Sequence, residues 1–443
     1  MVSLKRLKRQ FHGNFLALSD NMSESQKKYD LIVVGAGAAG LLAAGRAAER
    51  GLSVLLVEKM RQAGRKLRIT GKGRCNITND APIRDFLKKV KPNGKFLYPA
   101  FHAFFSQDMI AFLNEHGVPT VLERGGRYFP ESNQAGDVVD TMIEYAETNG
   151  VEFVYEAKVR HLIKQEGKLI GISVIKAMQM QDVFADNFLI ATGGKSYPAT
   201  GSTGEGYKLA KQAGHNITEV HPALVPIEVN GEIPARLEGL SLKNVNLSLW
   251  VDGKKLNEEF GEMLFTDFGL TGPIALTISR EVYAPVSQKK KVQMSIDFKP
   301  ALDDKILDAR LQRDLDANGK KQIGNLFKLW LPSKLIPVFL DLLNLDYDKP
   351  AHQVSGKERK NIRNLMKNFG FEVIGLRSFR EAIITAGGVD LDEINPKTMA
   401  SKHHDNLFFA GEILDLDAET GGYNLQIAFS TAWLAAGSIP VII

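Results

Sequence analysis

Cysteine is almost missing from the chain: Cys75 is the only one in 443 residues. A single thiol excludes an internal disulfide, a redox-active cysteine pair and a thiolate metal cage within one chain. It fits a reducing compartment, so a cytoplasmic location is expected. No apolar run approaches the roughly 18 residues that a membrane span requires, and no span is expected. A strong excess of one charge is lacking too. Lys5, Arg6, Lys8 and Arg9 against Asp20 place +3 of the net +5 in residues 1–21, which leaves +2 for the remainder. That balance gives no general basis for binding nucleic acid, and no such partner is expected. The apolar stretch FLAL is too short for a secretory core. Residues 1–28 are therefore read as a disordered extension, with Met22 in MSESQKKYD as an alternative start.

What is present points to a nucleotide. Residues 29–34, YDLIVV, read as a buried parallel strand. GAGAAG follows at once, so Gly35, Gly37 and Gly40 have the G-x-G-x-x-G spacing around Ala38 and Ala39. An Ala- and Leu-rich helix then runs to Gly51, and LSVLLVEK forms a second strand closing on Glu58 and Lys59. Each part answers a physical demand: a tight turn at Gly35, bare backbone for a pyrophosphate at Gly37, and close helix–strand packing at Gly40. The helix N-terminus faces the phosphates. Glu58, 18 residues after Gly40, is placed to accept hydrogen bonds from a ribose diol.

The next segment, GRKLRITGKGRCNITN at 64–79, holds five cations, three glycines, the lone cysteine and no acid. Such a loop is expected to fold back over a pyrophosphate, with Arg65, Lys66, Arg68, Lys72 and Arg74 separated by Gly64, Gly71 and Gly73. Cys75 and Asn76 would then lie near the far end of a long cofactor, which favours FAD over NAD. Two distant segments support FAD. NFLIATGG at 187–194 is a strand ending in Ala191, Thr192 and Gly193. Residues 406–438 read as a strand, then Gly411-Glu412, a loop, and Gly421-Gly422-Tyr423-Asn424-Leu425 opening a helix. The free N–H groups of that helix would stabilise negative charge on a reduced flavin. With Val159, these residues make up the expected non-covalent FAD site.

These motifs, with GRYFPES (126–132), ATGGKSYPATGSTGEGY (191–207), LFTDFGLTGP (264–273) and TAGGVDLDEINPKTMASK (385–402), resemble the bacterial flavoprotein family of YhiN, BaiN and the aminoacetone oxidase-like proteins. The resemblance spans residues 29–443. It implies an α/β fold: a Rossmann-like FAD-binding core of the glutathione-reductase type, interrupted by a β-rich and helical insertion. The residue patterns agree. The expected parts are the core over 29–223 and 381–443, a β-rich insert over 224–300 and a helical insert over 301–380. In the family LFT is often followed by histidine; here Asp267 stands there, so no role of that histidine carries over.

The implied activity is a FAD-dependent oxidoreductase acting on a small organic molecule by hydride transfer at flavin N5. C=C reduction of an enone and amine oxidation both remain open. A second nucleotide domain would need another strand–G-x-G-x-x-G–helix unit, and GSTGEG at 201–206 has the wrong spacing; NAD(P)H, if used, docks transiently. Lys195, Tyr197, Arg127 and Tyr128 are candidate proton donors or anion clamps. Cys75 is read as a small packing residue rather than a reactive thiol. His102, His116, His161, His215 and His221 lack ligand spacing, and no metal site is expected. FAD-dependent RNA modification and a non-catalytic flavin-binding redox module are the alternatives. The basic stretch KERKNIRNLMK at 357–367 is the feature that keeps RNA in view.

Overall fold

The computed structural model describes residues 27–441. The expectation for the N-terminal extension falls outside them, except that Lys28 already belongs to the fold: it starts the first strand and pairs with Asp186. That strand, β1 (Lys28–Val34), is flanked in parallel by β2 (Val54–Val57) and by a later strand of 179–190, with Val33 opposite Leu56 and Leu189. Leu31, Ile32 and Val33 are wholly buried, as a strand covered on both faces requires. The sheet continues through β3 (Glu152–Val154), β4 (Ala157–Gln165), β5 (Lys168–Lys176) and β6 (Gln179–Ile190) in the order β3-β2-β1-β6-β5-β4. Strand Leu407–Phe409 lies parallel to β6. The β4-β5-β6 stretch is antiparallel; the remainder is parallel.

Helix α1 (Ala38–Glu49) packs between the sheet and the C-terminal helix Tyr423–Ser438. Its small residues permit close approach: a Cβ on Gly40 would stand 1.8 Å from the Gly35 carbonyl oxygen.

The insertion is a closed six-stranded barrel. Its strands are β7 (Ile227–Val229), β8 (Ser241–Val251), β9 (Lys254–Phe265), β10 (Gly269–Thr271), β11 (Val292–Asp297) and β12 (Phe369–Leu376), in the order β7-β10-β9-β8-β11-β12. The expected division into a β-rich and a helical insert needs correction here. The final barrel strand falls within 301–380, where a helical continuation was expected. FGFEVIGL alternates: Phe369, Phe371 and Val373 are buried, while Gly370, Glu372 and Ile374 face out. Helices 304–317, 336–343 and 356–367 share one hydrophobic core with the barrel, so the two inserts are a single packed body.

Two features join this body to the nucleotide-binding core. The chain leaves through His221–Ala223 and returns through Ile384–Ala386, and these two crossings pair antiparallel. Beside these crossings helix α2 of the barrel (Pro273–Ser287) carries Arg280, whose guanidinium meets the Asp417 carboxylate at 2.6 Å and also donates to the Asp417 carbonyl. Both side chains are under 10% exposed. Burial raises the Asp417 pKa, and Arg280 opposes that rise. Removing one partner of a buried pair leaves the other charge stranded, at a cost of about 3–5 kcal/mol. Arg280→Ala is expected to lower the thermal unfolding midpoint clearly and Asp417→Asn less so; equal midpoints for Arg280→Ala and the parent would show that the pair does not hold the interface.

Candidate cofactor and substrate site

The C-terminal ends of β1, β6 and strand Leu407–Phe409 open into one cleft, enclosing about 1830 Å³ of non-atom space, open solvent included. The space comparable with ordinary small-molecule pockets is about 350 Å³, within their 300–1,000 Å³ range. Gly35, Ala191 and Gly411 line its floor.

The three fingerprint glycines answer to different neighbours. Gly35, at φ +101°, has the Ala191 carbonyl 2.8 Å from where a Cβ would be, and Gly40 is constrained by Gly35. At Gly37 a Cβ would meet no protein atom within 4 Å. Nothing in the fold requires glycine there, so the missing side chain leaves room in the cleft. Gly37 caps α1, whose first turn holds no acid, so its free N–H groups favour an anion. Beside it, Glu58 accepts from the N–H groups of Ala36 and Met60, both at 2.8 Å, which fixes the carboxylate at the cleft wall.

Toward one end, Val159 and Leu209 provide apolar walls, and Lys59 and Lys158 both pair with Glu205. In the middle, Glu412 accepts from the Ser196 hydroxyl at 2.9 Å, from Thr385 N–H at 2.8 Å and from Lys66 at 2.6 Å. Toward the other end stand Asn76, Gly421, Gly422, Asn424 and Leu425, with Leu224, Ile383 and Ile384 contributed by the crossings to the barrel. The N-terminus of the C-terminal helix opens here, again with no acid in its first turn. Asn79 fixes this corner by donating to the Gly421 carbonyl at 2.9 Å.

Two buried polar atoms on the cleft wall, Asn76 Oδ1 and Thr192 Oγ1, have no partner in the protein. Orphaned polar groups of this kind cost free energy unless a ligand meets them. With the open space at Gly37 and two acid-free helix N-termini, they fit a dinucleotide with a polar ring at one end.

Twenty of the twenty-five expected cofactor residues line the cleft, including Gly35, Gly37, Ala38, Ala39, Lys59, Arg65, Gly71 and Gly193. Gly40, Gly73, Arg74, Cys75 and Tyr423 do not. Gly40 serves helix packing. Tyr423 packs edge-on against Phe86 in the core.

The segment 64–79 differs most from expectation. It is not an open wrapping loop: residues from Arg65 are helical until Thr70, where a kink with Gly71 and Lys72 in the left-handed region turns the chain. Its cations do meet acids, supplied from elsewhere. Arg68 pairs with Asp140 at 2.6 Å, and Arg74 pairs with Glu123, bonds Asn133 and lies 4.1 Å over the Phe129 ring. Only Arg65 and Lys66 of the five reach the cleft. Cys75 is fully buried, and burial pushes its thiol up to about 12, so it stays protonated.

None of the candidate catalytic residues lines the cleft. Arg127 and Tyr128 sit on strand Arg127–Pro130, where Tyr128 donates to Asp80. Lys195 lies over the Phe379 ring at 4.7 Å, and the Tyr197 N–H donates to the Phe379 carbonyl. Both belong to the segment beside Ser196. Asp267 is exposed in the β9–β10 turn. No histidine among the described residues lines the cleft; His215 is buried, and that burial lowers its pKa to about 4. Ser196 and Thr385 went unnoticed in the sequence although both lie in recognised motifs, because only the fold reveals that they converge on Glu412.

Residues 29–438 match the family described as the HI0933-like protein Rossmann domain. The chain belongs to that family. HI0933-like proteins of this kind are flavin-dependent oxidoreductases, and this chain is an enzyme of that class. It is 29% identical over 405 residues to a 3-dehydro-bile acid delta(4,6)-reductase of Clostridium scindens, covering 91% of this chain and 97% of the relative. It is also 29% identical over 410 residues to a ribosomal RNA dihydrouridine synthase of Escherichia coli, covering 93% and 98%. A 3-ketosteroid delta1-dehydrogenase structure from Sterolibacterium denitrificans aligns over 93% of this chain and 99% of its own, with 15% identity and a TM-score of 0.49.

Gly37→Val is expected to abolish FAD binding in this HI0933-like protein while leaving the fold intact, read as colourless protein with an unchanged far-UV spectrum. Arg65→Ala is expected to weaken FAD by about 1–3 kcal/mol, the range of a lost charge-assisted bond. Arg74→Ala leaves affinity unchanged; equal losses in both variants would contradict the placement of Arg74. The Cys75 thiol is expected to resist a chromogenic disulfide reagent until the protein is denatured.

Proposed function

We propose that this protein reduces a C=C bond conjugated to a carbonyl, using FAD held in the cleft. Gly37, Glu58, Arg65 and Lys66 would hold the nucleotide and ribityl portions, and Asn76 with Gly421–Leu425 the ring. Bound there, FAD supplies hydride transfer at N5. The chain's own part is electrostatic and steric. The N–H groups at the start of the C-terminal helix favour negative charge at that end of the cleft. The Lys66–Glu412–Ser196–Thr385 network fixes the middle of the cleft without occupying its ends.

The observation that carries this reading is that Leu224, Ile383 and Ile384 line the cleft while strand 384–386 packs against Asp417–Ala418, which Asn424 at the helix N-terminus holds. That wall offers an apolar surface to a flat substrate beside a group that favours anions, which matches an enone developing enolate charge. The names of the two relatives agree, since a delta(4,6)-reductase and a dihydrouridine synthase both add hydrogen across a C=C bond. A small cyclic enone is the first reading of the substrate, with NAD(P)H docking transiently as hydride donor.

A uracil ring within RNA is the second. It is favoured by the dihydrouridine synthase relative and by Lys195, which has no acid partner among the described residues and lies over the Phe379 ring. The basic helix 356–367 adds little, because Arg359 and Arg363 pair with Asp308 and Lys367 with Asp297.

The test is anaerobic. The flavin is bleached with NADH or NADPH, then mixed with a steroidal 4-en-3-one, with uridine-rich RNA or with an amine. Rapid reoxidation by the enone, with product heavier by two hydrogens, is expected. Reoxidation by RNA alone selects the second reading. Bleaching of the oxidised enzyme by amines, with no response to either acceptor, would overturn both.

A further inference from the structure

A second cluster of reactive side chains lies outside the cleft. Glu393 receives two imidazoles on one oxygen: His215 Nδ1 stands 3.1 Å and His403 Nε2 3.5 Å from Oε2. The three ligand atoms all lie within 4.8 Å of one another. Bonds of about 2.0–2.1 Å to a tetrahedral zinc put neighbouring ligand atoms about 3.3–3.4 Å apart, whereas an octahedral ion of similar bond length puts them about 2.9 Å apart. The two measured edges straddle the tetrahedral value.

The surroundings have the character of an outer shell. Ser401 Oγ holds His215 Nε2 at 2.8 Å and accepts from the N–H groups of His403 and His404. Asn216 donates its side chain to Glu393 Oε1 at 2.6 Å and its backbone N–H to Oε2 at 2.8 Å. Such partners fix ring tautomer and carboxylate orientation in metal sites. His403 packs edge-on against His215, with ring centroids 4.7 Å apart, and its Nε2 stands at the outer limit of hydrogen-bond distance from Oε2. The His403 side chain is 41% exposed, while that of His215 is fully buried. Solvent thus reaches one side, leaving a fourth position for water and a route for an ion to enter.

We propose that His215, Glu393 and His403 form a three-ligand zinc site that ties the 393–403 turn to the chain just after helix Glu205–Gln212. Two nitrogens, one carboxylate oxygen and an open fourth position are a donor set that zinc takes and that iron(II) shares, so the two ions are separated by elemental analysis. The tie bears on the cleft indirectly, because Gly206 and Leu209 of that helix line it. The proposal departs from the expectation of no metal site: Glu393 and His403 are distant from His215 in sequence and meet it only through the fold.

The untagged, FAD-loaded full chain should retain one zinc after dialysis against zinc and then buffer, measured by elemental analysis, and should withhold it from a chromogenic chelator. His403→Asn, at a partly exposed position, and Glu393→Gln should lose that zinc with flavin content unchanged. Ser401→Ala should weaken retention about 10–100-fold, the usual effect of removing an outer partner. Parent protein that retains no zinc, a His403→Asn variant that retains as much as the parent, or retention of iron in its place would overturn the assignment.

Discussion

The cleft depends on how closely α1 approaches β1. With the Gly40 Cβ position 1.8 Å from the Gly35 carbonyl, any side chain there would push the helix off the sheet. The same contact sets where the N-terminus of α1 points and how near Gly35 lies to Ala191. Two of the three fingerprint glycines are thus consumed by the protein's own packing. Gly37 alone is left facing open space, and it marks where a ligand must lie.

Around that fixed point the chain assembles the cleft from parts far apart in sequence. Glu412 is anchored by Lys66, Ser196 and Thr385, from three separate segments. The apolar end comes from Leu224 and Ile383–Ile384, where the chain leaves for the barrel and returns. Because those crossings pair, and because Arg280 and Asp417 join the barrel to the core beside them, the barrel and its helices hold that wall in place. No residue of the barrel strands or their helices, 227–376, lines the cleft; the crossings alone contribute to its wall.

Much of this was legible in the sequence. The strand–glycine–helix–strand–acid order fixed the nucleotide end, since each element there is local and its spacing carries the geometry. The ATGG and AGE segments were readable for the same reason. The basic segment 64–79 was not, because its counter-charges Glu123 and Asp140 lie more than forty residues away and only the fold brings them to Arg74 and Arg68. Cys75 looked adjacent to the cofactor on sequence proximity to Asn76, yet its side chain turns into the core. Strand Phe369–Leu376 was masked by the helical, charged run before it, although its alternation was present. Likewise the His215–Glu393–His403 convergence has no local spacing to betray it.

The central claim is that the cleft holds one non-covalent FAD along its length. The most direct measurement is to heat or acidify the purified, FAD-incubated protein and analyse what is released. One FAD per chain in the supernatant, with none left on the polypeptide, is the predicted result. Release of FMN alone, flavin that stays covalently attached, or protein that remains colourless would contradict it.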